Sequence, residues 1–315
     1  MNLPRLSVVM PLHDGEAYLD AALASLPDDL AGMIEVILLD SSAQPQCCPI
    51  VSHHASRLTL RYVHMPHIAS WTAKTNHAVA MARAPHVAML HQDDLWLPGR
   101  LELLLDALVA EPDIGLVLTA ATIIDDRGRT LGRWRCPLAA HAYWNGTAVA
   151  ERLMVQNFVA LPSVVMRRDL WLQIGGLDES LWYTPDWDLY IKAALRCRVR
   201  YIDQPTVAFR IHGGSQTIMG SRSPADFLAQ MEIIVARYAD TMSGPRAGAT
   251  RRIAGASARI NGLLAEAMHG RKAALLSVLG EMTRLGPISL HRYFRDSRLV
   301  ERVLPRVKAR LQGGL

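Results

Sequence analysis

The chain has 315 residues, half of them hydrophobic and a fifth charged, which excludes a disordered or fibrous protein and leaves room for a sizeable core. Charge is unevenly spread: residues 221–315 hold 16 Lys/Arg against 7 Asp/Glu, a net of +9, while residues 1–220 are mildly acidic at −4. The four cysteines, Cys47, Cys48, Cys136 and Cys197, form no CxxC pair, which argues against a disulfide framework or a zinc site and suits a reducing cytoplasm. No run approaches the roughly 18 apolar residues that spanning a bilayer requires.

In chain order, Leu6 to Leu12 is an apolar run that ends at His13-Asp14-Gly15 and reads as a buried strand rather than a leader. Tyr18, Leu19, Ala22, Leu23 and Leu26 recur at helical spacing. Further strands are expected at 34–39, 58–64, 86–90, 114–124 and 163–166, with helices at 70–83, 97–110, 168–174 and 186–197. Val199 to Phe209 contains one or two strands, and residues 132–159 show no clear period. Short apolar strands separated by helices predict a mostly parallel sheet covered on both faces. Beyond a boundary placed near residue 220, segments 223–240, 248–269, 270–285 and 289–311 all read as helices.

Chemistry gathers at the ends of these elements. Leu90-His91-Gln92-Asp93-Asp94 runs an apolar strand into two adjacent carboxylates, which can hold a hard divalent cation or simply cap the helix that follows. Asp186 and Asp188 open a helix among Trp182, Tyr183, Trp187 and Tyr190; either is a candidate general base, and both also suit the helix dipole. Phe209-Arg210-Ile211-His212-Gly213-Gly214-Ser215 delivers a histidine into a glycine-rich turn. Asp40, after the second strand, can accept hydrogen bonds from a base or ribose, and Lys74 and Asn76 can face a diphosphate.

As an ordered set these segments resemble the family 2 inverting glycosyltransferases. The opening Leu6-Ser-Val-Val-Met-Pro-Leu-His-Asp-Gly15 is similar to that family's first strand and loop, and His91-Gln92-Asp93-Asp94 to its metal-binding DXD region. Gly175-Gly176-Leu177-Asp178-Glu179 with Asp186-Trp187-Asp188 resembles its base segment, and Phe209 to Ser215 its late histidine motif. The likeness covers about residues 5–217. It implies a GT-A (Rossmann-like) α/β fold for residues 1–220, as the catalytic, nucleotide-sugar-binding domain; the tail lies outside the likeness, and its own helical pattern and charge mark 221–315 as a basic C-terminal helical extension. It implies a nucleoside-diphosphate-sugar donor, first of all a UDP-sugar, and inversion at the anomeric carbon. Pro11, His13, Asp40, Lys74, Asn76, Gln92 and Asp93 would contact the nucleotide. Asp93 and Asp94, assisted by His212, would bind Mn2+ or Mg2+, and Asp186 would be the base with Asp188 as its competitor. The sequence departs from the pattern at His91, where many members have an acid, and at Pro185-Asp186, where the segment often reads Glu-Asp.

The acceptor is expected to be a glycan, a lipid-linked molecule or a small molecule, and no nucleic-acid partner is expected. A sugar nucleotidyltransferase would carry a basic, glycine-rich loop after the first strand, which Pro11 to Gly15 is not; a non-catalytic binding module is the other alternative. The final segment sets Leu299, Val303, Leu304, Val307 and Leu311 among Arg292, Arg295, Arg298, Arg302, Arg306, Lys308 and Arg310. Such a helix can lie on the inner face of an anionic membrane, or pack on the protein's own core or a second copy with its arginines in water.

Overall fold

The computed structural model describes residues 3–29, 32–110, 113–140, 142–214 and 223–311. Ten strands form one sheet: β1 (Leu6–Leu12), β2 (Ile34–Asp40), β3 (Leu60–His64), β4 (His86–Met89), β5 (Leu95–Trp96), β6 (Ile114–Ile124), β7 (Thr130–Trp134), β8 (Tyr143–Trp144), β9 (Val164–Arg167) and β10 (Arg198–Arg210). Their order is β3-β2-β1-β4-β9-β6-β10-β5, with β7 on β6 and β8 on β10. The helices before the basic region are α1 (Glu16–Ala24), α2 (Cys48–His53), α3 (Trp71–Met81), α4 (Arg100–Ala110), α5 (Gly146–Leu153), α6 (Arg168–Gln173) and α7 (Pro185–Ala194). Within it lie α8 (Pro224–Tyr238), α9 (Ala247–Met268), α10 (Ala274–Ser297) and α11 (Leu299–Leu311).

The central strands β1, β2, β4, β6 and β9 are mostly apolar because both faces of the sheet are covered there. Along β1, Leu6, Val8, Met10 and Leu12 pack into one core with Ile34, Val36 and Leu38. Val9, pointing the other way, joins Ile37, Leu39, Met89, Trp187 and Tyr190 in a second core. The expected parallel pairing holds for β2–β1, β1–β4, β2–β3 and β6–β10. The sheet is nonetheless mixed, since β9 lies between β4 and β6 and runs antiparallel to both. Residues 198–210 form one long strand, broken in register around Pro205, which has no N–H for a ladder bond.

Residues 132–159, where no period was legible, contain the short elements β8 and α5. Asn145 caps α5 by accepting the Thr147 N–H at 2.9 Å, so the Asn145-Gly146-Thr147 sequence serves as a helix start. The expected boundary near residue 220 falls outside the described residues. Past it, α8 extends the main core through Met231, Ile234 and Tyr238. Helices α9 and α10 build a smaller core around Ile253, Ile260, Val278 and Tyr293, in which Val155 takes part. The helices read as 270–285 and 289–311 divide differently: α10 runs on to Ser297 across a kink at Gly286 (φ +70°) before Pro287, and Arg298, in the left-handed region, separates it from α11.

Helix α11 lies against β7, with Ala309 and Pro305 buried and Arg135 paired with Glu301 at 2.7 Å. Its orientation is the reverse of an arginine-outward amphipathic helix. Val300 is 65% exposed, Val303 36%, Leu304 49% and Val307 47%, while Arg302 and Arg306 turn inward. Among the described residues no helix is long and apolar enough to cross a membrane.

Candidate active site

A cleft of about 330 Å³ opens where the C-terminal ends of β1, β4 and β10 meet the start of α7. Open α/β sheets present ligand sites at these strand ends. Pro11, His13, Lys74, Gln92, Asp93, Asp94, Asp186 and His212, all marked in the sequence, line it together. Asp40, Asn76 and Asp188 are not in the lining, and each has a definite task elsewhere.

Asp40 is buried beneath the end of β1. Its Oδ1 accepts from Ser42 N at 2.8 Å and Ser42 Oγ at 2.5 Å, and its Oδ2 accepts from the Tyr62 hydroxyl at 2.6 Å. Burial opposes ionisation, but these hydrogen bonds hold the carboxyl below its ordinary value. The Asn76 amide clamps the segment before α7: it donates to Leu177 O at 2.9 Å and Glu179 at 3.0 Å and accepts from Leu177 N at 2.9 Å. Gly176 makes this possible. It sits at φ +63°, and a Cβ there would lie 2.4 Å from Asn76 Oδ1.

On the strand side, Gln92 clasps the His13 backbone, accepting its N–H at 2.9 Å and donating to its carbonyl at 3.0 Å. The clasp needs Gly15, where a Cβ would meet Gln92 Oε1 at 2.7 Å. Between them Asp14 adopts φ 46°, a left-handed conformation that a short Asp tolerates. The Lys74 ammonium is buried, donating to Leu12 O and to Ser41 Oγ at 2.7 Å. Burial lowers its pKa to about 8, against the pull of Asp40 and Asp14. It is a cation at the cleft wall whose bonds go to neutral oxygens.

The β4–β5 turn concentrates acidic groups. Ligand atoms of His91, Asp93 and Asp94 all lie within 4.8 Å of one another. Burial and the neighbouring Asp93 push the Asp94 carboxyl well above the usual range. Burial opposes the charge of Asp93 too, but His212 and His91 hold its pKa below normal. His212 Nε2 lies 2.9 Å from Asp93 Oδ2. The turn is fixed by Arg210, whose backbone N–H donates to Asp94 at 2.9 Å and whose guanidinium reaches Asp93 O at 2.8 Å and Asp125 O at 2.9 Å. Arg210 also lies over the Tyr18 ring at 4.8 Å. His91 Nε2 is sealed from solvent and has no hydrogen-bond partner among the described residues. Two carboxyl groups and an imidazole in one cluster fit a divalent cation of the borderline kind better than a purely oxygen-seeking one. His91, seen in the sequence only as a missing acid, is thus the third member, and His212 acts on Asp93.

On the helix side, Pro185 occupies the first turn of α7 and sets Asp186 at the cleft. Asp186 Oδ2 accepts from Asn157 Nδ2 at 2.9 Å and Oδ1 from the Trp187 N–H at 2.8 Å. Burial pushes its pKa up to about 6, against those two hydrogen bonds. Asp188 is fully buried on another side of the helix. Its Oδ1 accepts from Arg237 at 2.7 Å and Tyr238 at 2.6 Å, and Oδ2 lies 2.9 Å from Lys192. The remaining wall was not anticipated: Trp71, Gln156, Asn157, Arg210 and, from α11, Arg302 and Arg306. Arg210 lay inside a marked motif. Asn157 lay in the stretch without a period, and nothing local distinguishes Arg302 and Arg306 from their basic neighbours.

A family model described as Glycosyl transferase family 2 matches residues 7–167, half of the chain. The O-antigen biosynthesis glycosyltransferase WbnJ of Escherichia coli is 23% identical over 219 residues, 68% of this chain and 82% of WbnJ. Among solved structures, S. aureus TarS 1–349 in complex with UDP-GlcNAc aligns over 98% of this chain and 92% of its own, with a TM-score of 0.64 at 17% identity. The mannosyltransferase PcManGT from Pyrobaculum calidifontis in complex with GDP-Man and Mn2+ covers 98% of this chain and 87% of its own, with a TM-score of 0.51 at 18% identity. At such identities these structures establish a common fold.

Proposed function

The chain belongs to glycosyl transferase family 2, and from that premise we propose an inverting, metal-assisted transfer of sugar from a nucleoside diphosphate onto an acceptor hydroxyl, with Asp186 as base. The observation that carries the proposal is the cleft itself: of the two candidate bases, Asp186 opens onto the space that Asp93, Asp94 and His212 share, and Asp188 is enclosed by Lys192, Arg237 and Tyr238.

His13, Gln92 and Pro11 would receive the nucleotide, with Asp40 stiffening the strand end beneath them. Lys74 brings a buried positive charge to the diphosphate. His91, Asp93 and Asp94 would hold a divalent cation, which when bound offsets charge on the leaving diphosphate. Asp186, held by Asn157 and the α7 backbone, takes the proton of the attacking hydroxyl. The acceptor oxygen bonds to the anomeric carbon from the face opposite the departing phosphate oxygen, and one such displacement inverts the centre. Trp182 and Tyr183 offer flat faces to a sugar. UDP is the first nucleotide to test, because the TarS complex matched over 98% of the chain contains UDP-GlcNAc. Residues 1–220 would carry donor binding and the base, and 221–315 would close the acceptor side. The outward apolar stripe of α11 is suited to an anionic membrane surface.

The test is to incubate the full chain with UDP-, GDP- and dTDP-sugars and Mn2+ and to measure released nucleoside diphosphate. Release that Asp186→Asn abolishes, with an inverted anomer in the product, supports the proposal. Full activity in excess chelator, or a retained anomer, sinks it.

A further inference from the structure

Several arginines of the tail are matched by acids. Arg292 and Arg295 share buried Asp296 at 3.3 and 2.8 Å, Arg135 and Arg298 share Glu301, and Arg259 and Arg284 share Glu281. Arg302 and Arg306 have no carboxylate partner among the described residues. Arg302 Nη2 donates to Asn261 Oδ1 at 3.3 Å, while its Nη1 is sealed from solvent and has no hydrogen-bond partner among the described residues. Arg306 donates to Arg302 O at 2.6 Å and lies over the Trp134 ring at 5.8 Å. Burial depresses the pKa of both, that of Arg302 to about 10. Two guanidinium groups one helical turn apart, half-buried and unmatched, raise the energy of the empty protein, because a desolvated charge without a counter-charge is costly. They line the same cleft as Asp186.

We propose that Arg302 and Arg306 form an anion subsite that holds a phosphate or carboxylate group carried by the acceptor. The proposal rests on Asp186 being the base. A chain of contacts favours the acceptor over the donor: Asn157 holds Asp186, the adjacent Gln156 accepts from Asn261 at 2.7 Å, and Asn261 accepts from Arg302. The donor side already has its own buried cation in Lys74. A planar, five-donor guanidinium suits a multidentate oxyanion, and two of them suit a phosphate best.

The experiment is thermal denaturation of the full chain saturated with Mg2+ and the nucleoside diphosphate found active above, titrated with inorganic phosphate at constant ionic strength. A ligand of the folded state raises Tm by mass action. The expected result is a saturable rise in wild type that is lost in Arg302→Gln/Arg306→Gln and in the bulkier Arg302→Met/Arg306→Met. Both variants should retain the shift due to the nucleoside diphosphate. Their unliganded Tm should be no lower than wild type, since an unmatched charge has gone. Phosphate that gives the same rise in wild type and variants, or none in either, overturns the proposal. So does loss of the nucleoside diphosphate shift in both variants, which would assign the arginines to the donor. Failure of the wild type to bind any nucleoside diphosphate would instead overturn the donor reading of the cleft.

Discussion

At the scale of single residues, the proposed mechanism turns on the Asp186 carboxyl, whose ionisation burial opposes. With its pKa raised to about 6, Asp186 is ionised at neutral pH yet basic enough to accept a proton. We expect kcat/KM to rise with pH through about 6 and then level off, and Asp186→Asn to slow turnover by about 10²–10⁴-fold and to abolish that limb. Stability should move the other way. The folded-state value lies above that of the unfolded chain, so the contribution of Asp186 is fully present below about 4 and is lost as pH rises through about 6. Melting curves at pH 8 should therefore show Asp186→Asn at least as stable as wild type; a clearly lower Tm would mean that the ionised carboxylate is held by more than Asn157 and Trp187. His91 supports a second expectation. An imidazole ligand favours Mn2+ or Co2+ over Mg2+, so the nucleoside diphosphate should raise Tm further with Mn2+, and His91→Asp should narrow that gap. Equal gaps in the two proteins would remove His91 from the metal cluster. The cleft acids were legible in the sequence because each sits where an apolar strand ends or a helix begins. The turn of Asn76 toward Leu177, and of Asp188 away from the cleft, was not, because it depends on the rotation of α3 and α7 about their axes.

At the scale of elements, a buried acid on α7 ties that helix to α8 beyond their shared apolar core. Asp188 joins Lys192 on its own helix to Arg237 and Tyr238 on the next, so the helix that carries Asp186 is held by residues from the basic region. Removing the shared acid leaves two cations and a hydroxyl facing a hole. We expect Asp188→Ala to cost about 3 kcal/mol in urea denaturation, and Tyr238→Phe about 1.5 kcal/mol, as for one hydrogen bond to a charged group. A neutral Asp188→Ala would show that Arg237 and Lys192 find water instead. Most strands were readable to within two residues, because coverage on both faces leaves an unbroken apolar run. Elements β8 and α5 were not, for two and eight residues carry too little period. For α11 the sequence defined an apolar face but not its direction. That direction is set by what it meets at β7: Pro305 lies close against Gly132, and Arg306 over Trp134.

At the scale of the whole molecule, the basic region exposes Leu276, Leu279, Ile288, Val300 and Leu304 on a segment of net positive charge. On anionic vesicles each basic residue near the surface adds about 1 kcal/mol, screened by salt. We expect the full chain to co-sediment with anionic but not neutral vesicles, and Leu304→Glu/Val307→Glu to release it without disturbing nucleoside diphosphate binding. Equal, negligible sedimentation with both vesicle types, together with a dimer that the same substitutions dissociate, would assign the stripe to a second copy. Truncation near residue 288 is the poorer test, because it removes Arg302 and Arg306 from the cleft wall as well.

The place of β9 bears on how the chain comes to exist at all. Because it joins β4 to β6 and is made after both, the growing chain holds two half-sheets with open edges until residue 167 has left the ribosome. Those edges belong to the apolar runs His86–Met89 and Ile114–Ile124, the sort of template that pairs with a neighbouring nascent chain. Translation pauses placed before β9 has cleared the ribosome should therefore lower soluble yield, whereas pauses placed after β10 has cleared it too should be tolerated.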